Sequence, residues 1–299
     1  LPPVNDQFER TIVAPAICAG VGVHTGRRVR LAIRPAAPGA GITFVRTDVR
    51  DRDNRIPVSG EAVVDARLNT MIENAAGVRL STIEHLMAAF AALGVSNAVV
   101  EVDGPELPIL DGSALPFVQL LDRAGFRGQD AFQRVIEILE PIRVEEGDKS
   151  AALLPCDRYE MRFEIDFPTP VIGNQVVDFV VDERTFRHEI MAARTFGFAH
   201  EVEALRQAGL ARGGSLENAV VIDGDVILNP GGLRMEREFV RHKALDAIGD
   251  LYVLGAPLLG RYEGVKAGHA LNNQLVRALL ANPQAWRIVT RAPELALAC

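Results

Sequence analysis

Along the first part of the chain, apolar side chains alternate with polar ones or run together between Gly-rich turns. That is the period-two pattern of strands. Residues 11–17 and 28–33 read as strands, and 41–46 as a third, shorter one. The period then changes. Over residues 81–93, Ile83, Leu86, Met87 and Phe90 share one stripe and Gly94 stops it, which predicts a helix. Residues 98–102 predict a strand ended by Asp103-Gly104-Pro105, and 114–124 a second helix. Phe126–Phe132, with Gly125 and Gly128, reads as a linker.

After it a similar order returns. Residues 135–138 read as a strand, and 151–154 and 159–167 as further strands. A helix is expected over 238–254, a strand around 262–265 and a last helix over 270–281. The segment PAICAGVGVHTGRRVRLAIRPA can be laid over PIRVEEGDKSAALLPC, and IEHLMAAFAALGV over VRHKALDAIGDLYVLG. The shared order predicts an internal duplication. We expect two units, 1–128 and 129–299, the first interrupted by 48–71 and the second by an insert at 193–234. Within the insert, a helix is expected over 200–208, and Asp223-Gly224 signals a hairpin.

Composition bounds the class. The 299 residues suit two domains of about 150, and 48% hydrophobic with 24% charged residues is ordinary for a globular chain. The net charge of −7 argues against sequence-independent nucleic-acid binding, which needs a basic footprint. No apolar run reaches the roughly 18 residues of a membrane span. Leu1-Pro2-Pro3-Val4-Asn5-Asp6 lacks the features of a secretory signal. Cys18, Cys156 and Cys299 form neither a disulfide framework nor a metal-site spacing, so a reducing cytoplasm is expected. Almost every cation is arginine. Lys149, Lys243 and Lys266 are the exceptions.

Three segments carry candidate chemistry. His242 and Asp246 are one helical turn apart, with Asp250 a further turn along and Lys243 beside them. Such a pair is an ordinary ion pair on a solvated face, or two ligands for one metal. Ser81 and Glu84 have capping-box spacing, so Glu84 either caps its own helix or acts as a general base beside a metal-ligating His85. His269 stands where a loop turns into a helix. It is a helix-start hydrogen bonder or, paired with Asp250, a general acid. The Gly-rich stretches 20–26 and 209–215 fit neither a dinucleotide fingerprint nor a P-loop. No nucleophile elbow is present. Spacing alone points to a mononuclear metal hydrolase.

GVGVHTG, STIEHL, LPILDGSALPFV, ARTFGF, FVRHKALDAIGDL and GHALNN, in this order, resemble the UDP-3-O-acyl-N-acetylglucosamine deacetylases. These are the zinc amidases that commit Gram-negative bacteria to lipid A synthesis. The resemblance implies an α+β fold of two duplicated domains, each a sheet with two main helices, the helices packed between the sheets. It implies His85, His242 and Asp246 as ligands of one Zn²⁺, with Fe²⁺ able to take the same ligands. It implies Glu84 as general base, His269 as general acid oriented by Asp250, and Thr195 as the hydroxyl facing the oxyanion. Phe196 would pack on the glucosamine, Lys243 and Lys266 would meet the diphosphate, and Phe167 would neighbour the uracil. Val202, Leu205, Leu210 and Leu216 would line an acyl-chain tunnel. Asn69 stands where relatives often carry a cysteine. The implied partner is the acylated UDP-amino-sugar, with no nucleic acid, and a monomer is expected.

Overall fold

The computed structural model describes residues 7–290. Cys299 and the start of the chain up to Asp6 lie outside the described residues. The chain opens with β1 (Phe8–Ile12), β2 (Ala16–Val21), β3 (Arg28–Pro35), β4 (Ile42–Arg46) and β5 (Arg55–Pro57). Three short strands follow: β6 (Val63–Asp65), β7 (Met71–Glu73) and β8 (Arg79–Leu80). Helix α1 (Glu84–Ala92), β9 (Ala98–Val102) and α2 (Leu115–Ala124) complete this part. Strands β2-β3-β9-β4-β5 form one sheet, and β6-β7-β8 a smaller one. Strand β3 shows why the sheet holds: Val29, Leu31 and Ile33 are buried while Arg28, Arg30 and Arg34 face out.

The next run is β10 (Phe126–Phe132), β11 (Arg134–Ile138), β12 (Ile142–Glu146), β13 (Lys149–Leu154), β14 (Tyr159–Asp166) and β15 (Asn174–Val180). A single turn, α3 (Glu183–Thr185), leads into a π-helical turn, Phe186–Ile190. Then come β16 (Phe196–Phe198), α4 (Ala199–Gln207), β17 (Val220–Asp223) and β18 (Val226–Ile227), which make a small sheet of their own beside α4. The chain continues with α5 (Glu238–Tyr252), β19 (Leu258–Val265), α6 (His269–Leu280) and β20 (Trp286–Thr290).

The pairings β12-β13-β19-β14-β15 run antiparallel, antiparallel, parallel, antiparallel. The pairings β2-β3-β9-β4-β5 run in the same sequence. In each, the strand that follows the first long helix sits in the middle. Strands β11 and β20 extend the second sheet beyond this shared path.

The architecture is α+β. Helices α5 and α6 lie against the second sheet, α2 against β2, and α1 and α5 pack on each other between the layers. Leu31 and Phe44 of the first sheet, Leu86 and Phe90 of α1, Leu245 of α5 and Phe163 of the second sheet belong to one buried apolar cluster. The Tyr252 hydroxyl donates to the Val95 carbonyl at 3.0 Å, joining α5 to the turn after α1.

Two expectations need correction, and one open alternative is excluded. The single strand expected over 11–17 is two strands, broken at the exposed Val13-Ala14-Pro15. Pro15 has no N–H to donate, and Val13 and Ala14 donate instead to the Gly125 and Ala124 carbonyls. The expected linker Phe126–Phe132 is a strand, paired antiparallel with β1. Its glycine and polar residues hid an edge strand whose partner is remote in sequence. Helix α1 starts at Glu84, and Ser81 does not cap it. Thr82 is left-handed (φ 59), so the chain enters the helix too sharply for a capping box, and the Ser81 hydroxyl turns to the Pro105 carbonyl at 3.3 Å.

Candidate functional site

The site forms where the start of α1 meets the flank of α5. Side chains four apart share one side of a helix, so His242, Asp246 and Asp250 line up along α5. All three are buried. Gly249, on the same helix, is what lets α1 reach them. A Cβ there would stand 2.0 Å from the Glu84 carbonyl oxygen. With only hydrogen at that position, the first turn of α1 lies on the α5 backbone and delivers Glu84 and His85.

One ligand atom from each of His85, His242 and Asp246 falls within 4.8 Å of the other two. Asp246 Oδ1 is 3.5 Å from His85 Nε2 and 3.3 Å from His242 Nε2. That oxygen is buried and has no hydrogen-bond partner among the described residues. A buried anionic oxygen without a donor is costly, and a cation between it and the imidazoles would satisfy it. The donor set, two imidazole nitrogens and one carboxylate oxygen, suits a zinc-type ion with a coordination position left open. His242 Nδ1 donates to the Ala193 carbonyl at 3.0 Å, which turns the lone pair of Nε2 toward Asp246. Burial lowers the His242 pKa to about 3, with Asp246 opposing the fall and His85 and Lys243 adding to it, so the ring stays neutral as a ligand must. The other Asp246 oxygen accepts from Lys243 Nζ at 3.0 Å.

Two acid–base groups flank this cluster. Burial raises the Glu84 carboxyl above its usual range, with His269 and His85 opposing the rise. Its Oε2 accepts from the Thr70 amide at 3.1 Å. His269 Nδ1 donates to Asp250 at 2.9 Å. Its Nε2 faces the cluster, 3.8 Å from Asp246 Oδ2 and 3.9 Å from Glu84 Oε1. Burial disfavours the His269 cation, but Asp250, Asp246 and Glu84 outweigh it and raise the group to about 9.

Thus Glu84, His85, His242, Asp246, Asp250 and His269, from three helices, are in one place. Phe196 lies beside them, its ring 6.4 Å from that of His242, with Lys243 Nζ 5.8 Å from its centroid. Phe167 meets Phe196 edge-on at 5.8 Å. Thr195 is half-buried, its amide donating to the Gly112 carbonyl and its own carbonyl accepting from Val220. Lys266 Nζ pairs with Asp148 and Asp166, at 2.9 and 3.0 Å. Val202 and Leu205 of α4 and Leu210 are half-buried, while Leu216 is exposed. Asn69 Oδ1 accepts from the Thr82 amide at 3.4 Å.

Sequence reasoning missed several partners. The Thr70 hydroxyl donates to Asp250 Oδ1 at 2.6 Å, so Thr70 joins Glu84 to Asp250. Asn272 Nδ2 donates to Asp250 Oδ2 at 2.8 Å. Asn272 stands one turn after His269, a helical spacing that was available to be read. Thr70 gave no such signal. His24 is half-buried, and its Nδ1 has no hydrogen-bond partner among the described residues. Burial lowers its basicity, and His269 lowers it further while Glu106 raises it.

A two-histidine, one-carboxylate cluster with a buried glutamate and a carboxylate-paired histidine beside it is the side-chain set of a mononuclear metal hydrolase. The chain belongs to the UDP-3-O-acyl N-acetylglycosamine deacetylase family, whose model matches residues 9–281. It is 66% identical over 289 residues to the UDP-3-O-acyl-N-acetylglucosamine deacetylase of Phenylobacterium zucineum, covering 97% of this chain and 99% of that one. It is 50% identical over 289 residues to the enzyme of the same name from Shewanella oneidensis, covering 96% of this chain and 94% of the relative.

Proposed function

We propose that the chain hydrolyses the 2-acetamido group of UDP-3-O-(3-hydroxyacyl)-N-acetylglucosamine. The products are acetate and the free amine, in the committed step of lipid A biosynthesis. The names of its relatives support the substrate. The observation that carries the chemistry is the convergence of His85, His242 and Asp246, with Glu84 and His269 beside them.

In this reading His85, His242 and Asp246 hold one Zn²⁺, or Fe²⁺ in the same ligands. When bound, such an ion supplies Lewis acidity toward the amide carbonyl and makes water a better nucleophile near neutral pH. Glu84 takes the proton of the attacking water as its oxygen bonds to the carbonyl carbon. His269, held cationic by Asp250, faces the developing oxyanion together with the Thr195 hydroxyl. It then gives its Nε2 proton to the departing nitrogen as the C–N bond breaks. Phe196 packs on the sugar, Lys243 and Lys266 meet the diphosphate, and Phe167 neighbours the uracil. Val202, Leu205, Leu210 and Leu216 take the acyl chain.

We read the chain as two duplicated units, 1–128 and 129–299, with the insert at 193–234. The two like-ordered strand paths support that reading, and β10 crosses the boundary. No described helix is long and apolar enough to cross a membrane. The free thiols Cys18 and Cys156 fit a reducing, cytoplasmic setting, and the protein acts as a monomer.

Metal analysis of chelator-free protein, with acetate release measured on the acylated UDP-sugar, tests the whole. About one ion per chain and metal-dependent acetate release are expected. Metal-free protein of full activity would overturn the reading.

A further inference from the structure

Helix α5 carries a fourth buried polar residue, one turn ahead of His242. Glu238 is 0% exposed and extends the stripe His242, Asp246, Asp250 backward by the same interval. Its Oε1 accepts from the Arg194 amide at 3.0 Å and from Arg194 Nε at 2.8 Å. Its Oε2 accepts from Arg194 Nη2 at 3.1 Å and from the Arg234 amide at 2.7 Å. Arg194 is itself buried, and its Nη2 also donates to the Gly232 carbonyl at 2.8 Å. One carboxylate therefore ties both ends of the 193–234 insert to the start of α5.

What hangs from that tie is the site. Ala193, just before Arg194, offers the carbonyl that orients His242. Thr195, just after it, carries the hydroxyl assigned to the oxyanion. A buried ion pair is a poor way to gain stability, because apolar side chains of similar volume do as well. A guanidinium forked onto a carboxylate instead fixes direction as well as distance. We propose that Glu238, acting through Arg194, is a positioning residue for the deacetylation. It sets the Ala193 carbonyl and the Thr195 backbone against α5, and so aims His242 Nε2 and the Thr195 hydroxyl together. This rests on the proposed roles of His242 and Thr195.

The test uses full-length Glu238→Gln and Arg194→Lys proteins, loaded with zinc. Zinc affinity is read by chelator competition, kcat and KM per bound zinc on the acylated UDP-sugar, and the thermal midpoint without metal. In Glu238→Gln, zinc binding weakens about tenfold and kcat falls about tenfold or more, while KM stays within about twofold. Arg194→Lys moves both in the same direction by less, since an ammonium makes no fork. A merely structural pair would lower the thermal midpoint and leave zinc affinity and kcat per zinc as in wild type, and that result overturns the proposal. A rise in KM alone also overturns it. Should Glu238→Gln fail to fold, Arg194→Lys decides by the same readouts. His242→Ala separates the two levels. If it binds zinc and turns over normally, the metal reading itself falls. If it loses zinc while the Glu238 and Arg194 variants match wild type, only this inference falls.

Discussion

Helices α1 and α5 pack on each other, yet they serve the site in different ways. Helix α1 is a core helix, with Leu86, Met87, Ala88, Ala89 and Phe90 all fully buried. Only its first two residues, Glu84 and His85, reach the cluster. Helix α5 works along its side, with Glu238, His242, Asp246 and Asp250 buried at every fourth position. An end and a flank differ in what holds them. A flank keeps its spacing by helix geometry alone. An end depends on how the chain enters the helix, and here Thr82 does that in a left-handed conformation.

The sharpest way to break the comparison is to remove chemistry from the end while keeping the flank. Glu84→Ala should cut turnover by about 10²–10⁴ and leave the metal bound, because the ligands keep their places. Steady-state rates with metal analysis on the same sample check both halves of that statement.

Forcing the end away from the flank comes next. Gly249→Ala puts a methyl where only 2.0 Å separates it from the Glu84 carbonyl oxygen. The helices must part by an ångström or so, which should lower kcat about 10²-fold and stability by about 1–3 kcal/mol. Denaturant unfolding and kinetics measure the two losses. Wild-type kinetics would mean that the α1 end tolerates displacement.

Asp250→Asn probes the flank's far member. His269 is raised to about 9 in the folded protein, above an ordinary value near 6.5. Its protonated form therefore contributes stability fully below about 6.5, and that contribution is lost as pH rises through about 9. Activity that needs the His269 proton should fail on the same alkaline limb. Removing the Asp250 charge should move the limb toward neutrality and cost about tenfold at pH 8, with little change at pH 6. A pH–rate profile unmoved by Asp250→Asn would detach the aspartate from the acid.

The smallest effect is expected at Ser81. Among the described residues its hydroxyl makes only the 3.3 Å hydrogen bond to the Pro105 carbonyl. Ser81→Ala should then cost less than about 0.5 kcal/mol, against the 1 kcal/mol or so of a genuine N-cap. A larger loss in denaturant unfolding would restore the capping box.

The same contrast explains what could be read from the chain. The α5 stripe was legible because helical spacing is local: His242, Asp246 and Asp250 announce a shared face. The α1 end was ambiguous, since Ser81-x-x-Glu84 also spells a cap, and only the left-handed Thr82 excludes it. The central strands β3, β9 and β14 were legible from alternation, whereas β10 took its strand character from pairing with β1. Thr70, Arg194 and Glu238 escaped because their partners are remote in sequence, and a buried polar residue declares itself only once burial is known. The roles of Lys266 and the tunnel residues came from resemblance alone, and no periodicity pointed to them.

Gly249 has one more consequence. Where α1 crosses α5, main chain rests on main chain, and the distance between His85 and its two partners is gauged by that contact. Side chains along a helix seam can be exchanged and can change rotamer, and such changes shift a crossing that is spaced by side chains. A crossing spaced by backbone has a hard stop. The core on either side can therefore drift over generations while the opening for the ion keeps its bore, so long as residue 249 stays bare.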